Sequence, residues 1–459
     1  MLVKPVIVLL CVTVISLITL NMMFHDKYKS AVIFSITIFL IFLFGPFFSF
    51  VEKIDLKFFR FRYFIIIYTF IFLVVLLFFL FNKHINSRKV SRFLNLAGLA
   101  VLSVIIINLS ISTLSVLYNI KHDVPEKEQD IFYGFKNHNQ SSSNIHLPDI
   151  YYIVLDSYPN QECMADILNF NNEDFTNRLK SKGFFITKSS RSNYNFTLFS
   201  IPATLNLNYL SMKKIENGIY MFKKNENFYN RLKKRIENSR LVSYLESMGY
   251  NKYLDTPVID KKFLSIEFNI KLLYMTILVS PYLSNYVSTF LMREYAILNL
   301  KSWINYEDIK KPIFYFKHII IPHVPYMFDR YGNIPDFFSS NVERLFIEQL
   351  LYTNMHAEKI IDNILSHYKE KKPIIIIQGD HGPDIIIKDK ERRMKIRTSI
   401  LNAVYLPDMK ENIFYDGMTS VNTFRILLNK YFGTNLELLP DITYYQEVER
   451  DRLVVYNPK

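Results

Sequence analysis

Long runs of uncharged, mostly apolar residues are separated by short charged loops in the first quarter of the chain. The runs cover residues 5–23, 31–51, 63–81 and 96–118, and they are 19, 21, 19 and 23 residues long. About 20 apolar residues cross the hydrocarbon core of a bilayer as a helix. A surface helix of a soluble protein has a charged or polar face instead. The pattern therefore predicts a membrane region at 1–118 with about four transmembrane helices.

The pattern changes after residue 118. Residues 119–147 are polar and contain three consecutive serines, which is typical of a linker. From 148 to 459, short β-rich runs alternate with segments of helical periodicity. The runs that predict strands are 149–155, 313–321, 374–378 and 401–406. Apolar strands separated by helices favour an α/β domain with a mostly parallel sheet.

One further uncharged stretch, at 272–292, has two interpretations. Pro281 and six Ser, Thr and Asn residues make it a poor lipid-facing helix. We therefore expect a core or interfacial helix, and a fifth membrane span is the alternative.

Composition narrows the class of protein. Half of the 459 residues are hydrophobic, and 40 Phe and 31 Tyr stand against 11 Gly, which excludes a disordered or collagen-like chain. Only Cys11 and Cys163 occur, so a disulfide framework and CxxC sites are excluded.

Residues 1–122 contain 12 Lys and Arg against 3 Asp and Glu, and so carry most of the net charge of +13. This basic excess lies between the apolar runs and indicates anionic lipid headgroups rather than nucleic acid. Its near-equal division between alternate loops leaves the orientation in the membrane open.

Acidic and imidazole side chains follow two of the predicted strands. Asp156 comes directly after the first strand, and Asp380 and His381 come directly after the run 374–378. Ligand sites of open α/β sheets lie at the carboxyl ends of strands. These three side chains are therefore candidate ligands for Zn²⁺ or Mn²⁺. The alternative is structural, with Asp156 capping a helix and Asp380 shaping a turn between glycines.

Two more segments carry candidate chemistry. Residues 190–202 are rich in hydroxyl groups and include Arg191 and Thr197. A Thr at a helix N-terminus can be activated by a metal, although such a Thr or Ser also caps helices. His323 lies between two prolines after the run 313–321 and could bind an anionic oxygen or act as an acid, or be structural.

Taken in order, these segments resemble the alkaline phosphatase superfamily, and in particular its membrane-anchored, sulfatase-like branch. That branch includes lipoteichoic acid synthases and lipid A phosphoethanolamine transferases. Thr197-Leu198-Phe199-Ser200-Ile201-Pro202 is similar to the TxxSxP segment of those transferases, and Gly379-Asp380-His381-Gly382 is similar to the family's DHG motif. Asp156 matches the family's first metal ligand, and His323-Val324-Pro325-Tyr326 is similar to its HxPY segment.

The resemblance implies a sulfatase-like α/β domain that holds one divalent metal ion, Zn or Mn, through Asp156, Thr197, Asp380 and His381. It implies that Thr197 is the nucleophile, that His323 contacts the substrate phosphate, and that the domain is extracytoplasmic; in the mechanism this suggests, His323 stabilises the equatorial phosphoryl oxygens and protonates the leaving alcohol. Arg191 is a further candidate for binding the anion.

Three features depart from the family pattern. Thr204 stands where sulfatases have the Arg of their C/S-x-P-x-R motif, which argues against sulfatase activity. No His follows His381, whereas the transferases have one there, and the disulfides common in those enzymes are absent.

The resulting hypothesis is a membrane phosphotransferase that moves a phospholipid-derived phospho-headgroup onto a cell-envelope glycan or lipid, with no nucleic-acid partner. The alternatives are a phosphodiesterase or phosphatase on the same fold, and a non-catalytic membrane scaffold.

Overall fold

The computed structural model describes residues 3–37, parts of 69–103, 147–216, 218–222, 234–257, 281–302, 312–335, 341–369, 371–408, 413–447 and 452–456. The chain divides into two compact units. The first unit is Met1–Asp123 with Glu267–Ser288, and the second is Val124–Ile266 with Thr289–Lys459. The domain boundaries expected from the sequence stay a prediction.

The first unit contains helix α1, Val3–Phe24, which includes the first predicted membrane segment. Much of the other three predicted segments, and all of 119–146, lie outside the described residues. Among the helices that the structure does describe, none combines the length and the apolar composition that crossing a membrane requires.

A six-stranded mixed sheet forms the centre of the second unit, with the order β2-β8-β7-β1-β6-β5. The strands β7, β1, β6 and β5 are parallel, and β8 and β2 are antiparallel to their neighbours. Their bounds are β1 Ile150–Leu155, β2 Phe185–Ile186, β5 Asn251–Asp255, β6 Ile313–Ile319, β7 Ile374–Gly379 and β8 Asn402–Tyr405. The mostly parallel sheet that the sequence predicted is confirmed.

The central strands are apolar on both faces because helices cover both faces of the sheet. Tyr151, Ile153 and Leu155 of β1 pack into one core cluster, and Tyr152 and Val154 pack into another. Further helices of the described residues are α2 Gln161–Leu168, α3 Glu173–Ser181, α4 Thr197–Leu205, α5 Arg240–Ser247, α6 Pro281–Lys301, α7 Val342–His367, α8 Lys390–Thr398 and α9 Ser420–Phe432. Residues of α2, α3 and α7 join the first cluster, and residues of α4, α5 and α9 join the second.

The stretch 272–292 is described from Pro281, where α6 begins and then runs to Lys301. Within the second unit, Tyr295 and Ala296 of this helix are buried in the first core cluster. These two residues follow residue 292, so the interpretation of the stretch 272–292 as a core or interfacial helix stays a prediction.

A second, antiparallel sheet has the order β3-β4-β10-β9. Its strands are β3 Met212–Glu216, β4 Ile219–Phe222, β9 Thr443–Gln446 and β10 Arg452–Tyr456. The sheet therefore joins the segment after α4 to the last strands of the chain. Tyr194, from the loop before α4, is buried in the same small core as Tyr444 of β9.

Candidate metal and nucleophile site

Asp156 and Asp380 meet because they follow adjacent parallel strands, β1 and β7. Oδ1 of Asp380 accepts hydrogen bonds from the backbone N–H of Ser157, at 3.0 Å, and of His381, at 2.9 Å. Ser157 has a φ of +66°, a left-handed conformation that is uncommon outside glycine. The turn after β1 thus fixes the orientation of the Asp380 carboxylate.

The glycines on both sides of Asp380 and His381 are required by close packing. A Cβ at position 379 would overlap the carbonyl oxygen of Tyr158, and a Cβ at position 382 would overlap that of Ile396. Both obstacles are backbone atoms, which cannot move aside as a flexible side chain can. The Gly-Asp-His-Gly sequence is therefore needed to bring Asp380 and His381 to the sheet edge.

His381 is the centre of the site. Its Nε2 lies 3.0 Å from Oγ1 of Thr197, 3.5 Å from Oδ2 of Asp380 and 3.7 Å from Oδ1 of Asp156. Its Nδ1 lies 2.9 Å from the carbonyl oxygen of Gly382. In the tautomer with its proton on Nδ1, the ring donates to this carbonyl oxygen and the lone pair of Nε2 faces Thr197 and the carboxylates.

Thr197 is the first residue of α4, and its hydroxyl bonds to His381 rather than capping the helix. The N-cap residue is Phe196, and no side chain caps the first turn. Backbone N–H groups in the first turn of a helix, together with the helix dipole, favour an anion at this end. The hydroxyl of Thr197 thus lies where a negatively charged group would be stabilised.

His318 is a member of this site that the sequence analysis missed. It lies on β6, is 2% exposed, and is in register with Val154 of the neighbouring β1. Its Nε2 lies 3.2 Å from Oδ2 of Asp156, and its Nδ1 lies 3.2 Å from the hydroxyl of Thr256. The available signal was a single His within an apolar strand, two strands away from the DHG segment.

The charges of the site favour metal binding. Burial alone would raise the pKa of Asp156, but His323, His318 and His381 outweigh it, so this pKa lies well below its usual range. Burial, and then the charge of Arg397, lower the pKa of His381 to about 4. At neutral pH the carboxylate is therefore ionised and the imidazole of His381 is neutral, as metal ligands must be.

The donor atoms fit one divalent cation. Ligand atoms of Asp156, His323 and His381 lie within 4.8 Å of one another, and so do those of Asp156, His318 and Asp380. Oδ2 of Asp380 is buried and has no hydrogen-bond partner, which is costly unless another positive group is bound there. Carboxylate oxygens and an imidazole nitrogen suit Zn²⁺ or Mn²⁺.

His323 lies beside this cluster, after the end of β6. Its ring centroid is 6.0 Å from that of His381, and the residue is half-buried. Its Nδ1 bonds to the carbonyl oxygen of Val324, so Nδ1 carries a proton. Gln349 of α7 holds this loop by donating to the carbonyl of His323 at 2.8 Å and accepting from the N–H of Met327.

Arg191 is not brought into the site. Its Nη2 donates to the carbonyl oxygen of Asp441, and none of its hydrogen bonds reaches the cluster. The buried cation of the site is Arg397 instead, which is 5% exposed. Its Nη1 lies 3.0 Å from Nδ1 of His381 and donates to the carbonyl oxygen of Gly382. Sequence analysis missed this role, because Arg397 ends a run of basic residues that is typical of an exposed helix face.

The family model described as Sulfatase matches residues 128–427, well over half of the chain. No curated protein matches the chain significantly. Among solved structures, the chain is similar to the C-terminal periplasmic domain of EcEptC from Escherichia coli in complex with Zn, at 8% identity and a TM-score of 0.41. That similarity covers 69% of this chain and 94% of the other.

Two other similar structures are an integral membrane protein and a protein of the alkaline phosphatase superfamily. The first is the lipooligosaccharide phosphoethanolamine transferase A (EptA) from Neisseria meningitidis, with 12% identity, a TM-score of 0.40, and coverage of 80% of this chain and 70% of the other. The second, from Vibrio parahaemolyticus, has 13% identity, a TM-score of 0.39, and coverage of 69% and 78%. These TM-scores are low, so the family assignment rests on the family model.

Proposed function

The chain belongs to the sulfatase family, as the order of its motifs predicted, and we propose that it is a metal-dependent phosphotransferase with Thr197 as its nucleophile. The observation that carries this proposal is the contact between the Thr197 hydroxyl and His381, 3.0 Å apart at the N-terminus of α4. A hydroxyl next to metal-ligating groups and a helix N-terminus has the surroundings that nucleophilic catalysis on a phosphate ester needs.

One divalent ion, Zn or Mn, would be held by Asp156, Asp380, His381 and the hydroxyl of Thr197. A free Thr hydroxyl is hardly ionised at neutral pH, and the bound ion would supply the positive charge that lowers its pKa. The buried, unpartnered Oδ2 of Asp380 supports this ligand set.

The protein's own groups account for the transfer. The Thr197 hydroxyl gives up its proton to the surrounding water, its oxygen attacks the phosphorus, a Thr197–phosphate bond forms, and the bond from phosphorus to the leaving alcohol breaks. The N-terminus of α4 stabilises the negative charge of the phosphoryl oxygens, and His323 donates the proton that the alcohol takes away. An acceptor hydroxyl then passes its proton to His323 and attacks the phosphorus, and the oxygen of Thr197 leaves and takes up a proton from water, so that both residues are regenerated.

The donor that we propose is a phospholipid headgroup, and the acceptor is a glycan or lipid of the cell envelope. The apolar segments predicted at 1–118 support a membrane protein, and family resemblance supports an extracytoplasmic catalytic domain. Attachment to the membrane would raise the effective concentration of a lipid donor at the site.

Sulfate-ester hydrolysis is the less favoured reaction for this member of the family. Ser200, the candidate for the sulfatase position, is 1% exposed and lies one turn into α4, beyond Thr197. Thr204, at the position of the sulfatase Arg, donates its hydroxyl hydrogen bond to the carbonyl of Ser200. On α4, the hydroxyl that bonds to Nε2 of His381 is that of Thr197.

The test is intact-mass analysis and peptide mapping of the detergent-purified full chain after incubation with Mn²⁺ or Zn²⁺ and bacterial phospholipids. We expect a covalent adduct on Thr197 whose mass identifies the transferred headgroup. The adduct should be lost in Thr197→Ala and kept in Ser200→Ala, which removes a hydroxyl from the same helix. Full turnover by Thr197→Ala would refute the proposal.

The second candidate is a hydrolase that releases the phosphoryl group to water. Phosphate-ester consumption without an added acceptor would favour it. Purified protein that binds neither Zn nor Mn and forms no adduct would favour a non-catalytic scaffold instead.

A further inference from the structure

The loop before Thr197 lies against β9, a strand from the last 20 residues of the chain. The N–H of Tyr444 donates to the carbonyl oxygen of Asn193 at 2.8 Å, and the hydroxyl of Thr443 donates to the carbonyl oxygen of Ser192 at 2.9 Å. Tyr194 and Tyr444 form a parallel bridge, and their rings stack with centroids 5.7 Å apart. The loop is thus attached to the edge of the antiparallel sheet.

Asn195 completes this attachment through its side chain. Its Nδ2 donates to the carbonyl oxygen of Gln446 at 3.1 Å, and its Oδ1 accepts from the N–H of the same residue at 2.8 Å. Asn195 is 2% exposed, so both bonds are shielded from water. The amide group therefore bonds to Gln446 at two points, much as a neighbouring strand would, and fixes both its position and its orientation.

This contact matters because α4 begins without an ordinary cap. Phe196 occupies the N-cap position, where it offers no side-chain acceptor to the first turn. The entry of the chain into α4 is held instead by Asn195, one residue earlier, and through it by β9. Thr197 follows Asn195 by two residues, so a shift of the Asn195 amide moves the Thr197 hydroxyl relative to His381.

The strand that provides this support lies outside the family match. The Sulfatase model ends at residue 427, whereas β9 spans Thr443–Gln446. The motifs of the site are thus supported by a part of this chain that the family model does not match.

We propose that Asn195 is a positioning residue for Thr197, and that β9 holds the nucleophile at its distance from His381 through the two bonds between Asn195 and Gln446. The inference rests on the proposed role of Thr197 as the nucleophile. It assigns a role in positioning the nucleophile to the antiparallel sheet, which contributes no reacting group.

The chain contains a matched control for this contact. Asn429 donates through Nδ2 to the carbonyl oxygen of Leu436 at 2.9 Å and accepts from the N–H of Leu436 at 2.8 Å. This pair of hydrogen bonds has the same geometry as the pair between Asn195 and Gln446, and it is remote in sequence from the loop before Thr197. Asn429→Ala therefore removes the same pair of hydrogen bonds, and a third that Oδ1 accepts from the hydroxyl of Thr434, without touching residues 190–197.

The experiment measures kcat and KM for phospholipid turnover by the full chain in detergent, with the rate of adduct formation on Thr197. We expect Asn195→Ala to lower kcat and the adduct rate by about tenfold or more, since small displacements of a reacting group cost up to about 100-fold. KM should stay within about twofold, because no substrate contact is removed. Asn429→Ala should lower the melting temperature while kcat is unchanged.

Equal kcat values for Asn195→Ala and Asn429→Ala would overturn the inference, and so would a loss confined to KM. If Asn195→Ala does not fold, Thr443→Val decides, because it removes only the hydroxyl bond to Ser192 and keeps a β-branched side chain in β9. An unchanged kcat in Thr443→Val would then refute the role of β9. Full turnover by Thr197→Ala would instead show that the proposed nucleophile is wrong.

Discussion

His318 on β6 and Asp156 after β1 form a buried pair, with Nε2 of the histidine 3.2 Å from Oδ2 of the carboxylate. The second oxygen, Oδ1, lies toward His381, whose Nε2 is 3.7 Å away. Burial alone would lower the pKa of His318, but the hydrogen bond and charge of Asp156 outweigh it, and the pKa is raised. Oδ2 of Asp156 is thus held by His318, while Oδ1 accepts from the hydroxyl of Ser157 at 3.2 Å and is the oxygen that faces His381.

The first prediction is that His318→Ala weakens metal binding while leaving every proposed ligand in place. Loss of a group that orients a metal ligand commonly costs about 10- to 100-fold in affinity. The measurement is the dissociation constant for Mn²⁺ or Zn²⁺ by titration calorimetry of the detergent-purified protein. His356→Ala is the control, because His356 lies on α7 and packs edge-to-face against Tyr352. An unchanged constant in folded His318→Ala protein would show that Asp156 needs no such support.

The second prediction concerns Asp380, whose Oδ2 is buried without a partner. We expect added Mn²⁺ or Zn²⁺ to raise the melting temperature of the native protein and EDTA to reverse the change. Saturation at about 100 times the dissociation constant stabilises the folded state by about 2.7 kcal/mol. Asp380→Asn keeps the acceptor for the N–H groups of Ser157 and His381 but loses the charge, so the metal-induced rise should disappear.

The metal-free melting temperature of Asp380→Asn should equal or exceed that of the native protein, because a buried charge without a counter-charge has been removed. Asp384→Asn is the control, since Asp384 is exposed and lies four residues away. The same metal-induced rise in both variants would argue against Asp380 as a ligand.

Four strands of the central sheet, and the meeting of Asp156 with Asp380 and His381, could be predicted from short stretches of the sequence. Apolar runs indicated β1, β6, β7 and β8, and adjacency of parallel strands brings Asp156 together with Asp380 and His381. His318 was missed because it lies inside such an apolar run, and only the register of β6 with β1 places it beside Asp156.

Other parts of the site depend on contacts between residues far apart in the sequence. Arg397 reaches His381 because α8 packs behind the DHG segment, whereas Arg191, closer to Thr197 in sequence, turns toward Asp441. The bonds between Asn195 and Gln446 join residues 251 positions apart. No period or motif in the sequence indicates such pairings.

The last prediction concerns a buried ion pair on β6. Nζ of Lys317 lies 2.6 Å from Oδ2 of Asp255 and 2.8 Å from the carbonyl oxygen of Ser302, and the lysine side chain is fully buried. Burial lowers the pKa of Lys317, although Asp255 partly offsets the effect. At pH values between this lowered pKa and the ordinary pKa of 10.5, the unfolded state therefore binds more protons than the folded state. Stability contributed by this group rises as the pH increases from the lowered pKa toward the ordinary value.

Asp255→Asn removes the counter-charge and should lower the pKa of Lys317 further. We expect a loss of about 3 kcal/mol at pH 7, because the buried ammonium becomes uncompensated, with partial recovery at about pH 9 as Lys317 loses its proton. Thermal unfolding at the two pH values measures both effects. Glu246→Gln is the control, since the pair of Glu246 with Lys252 is exposed and should contribute less than about 1 kcal/mol. A loss that stays the same at both pH values would mean that Lys317 remains charged, and that its other contacts rather than Asp255 stabilise the ammonium.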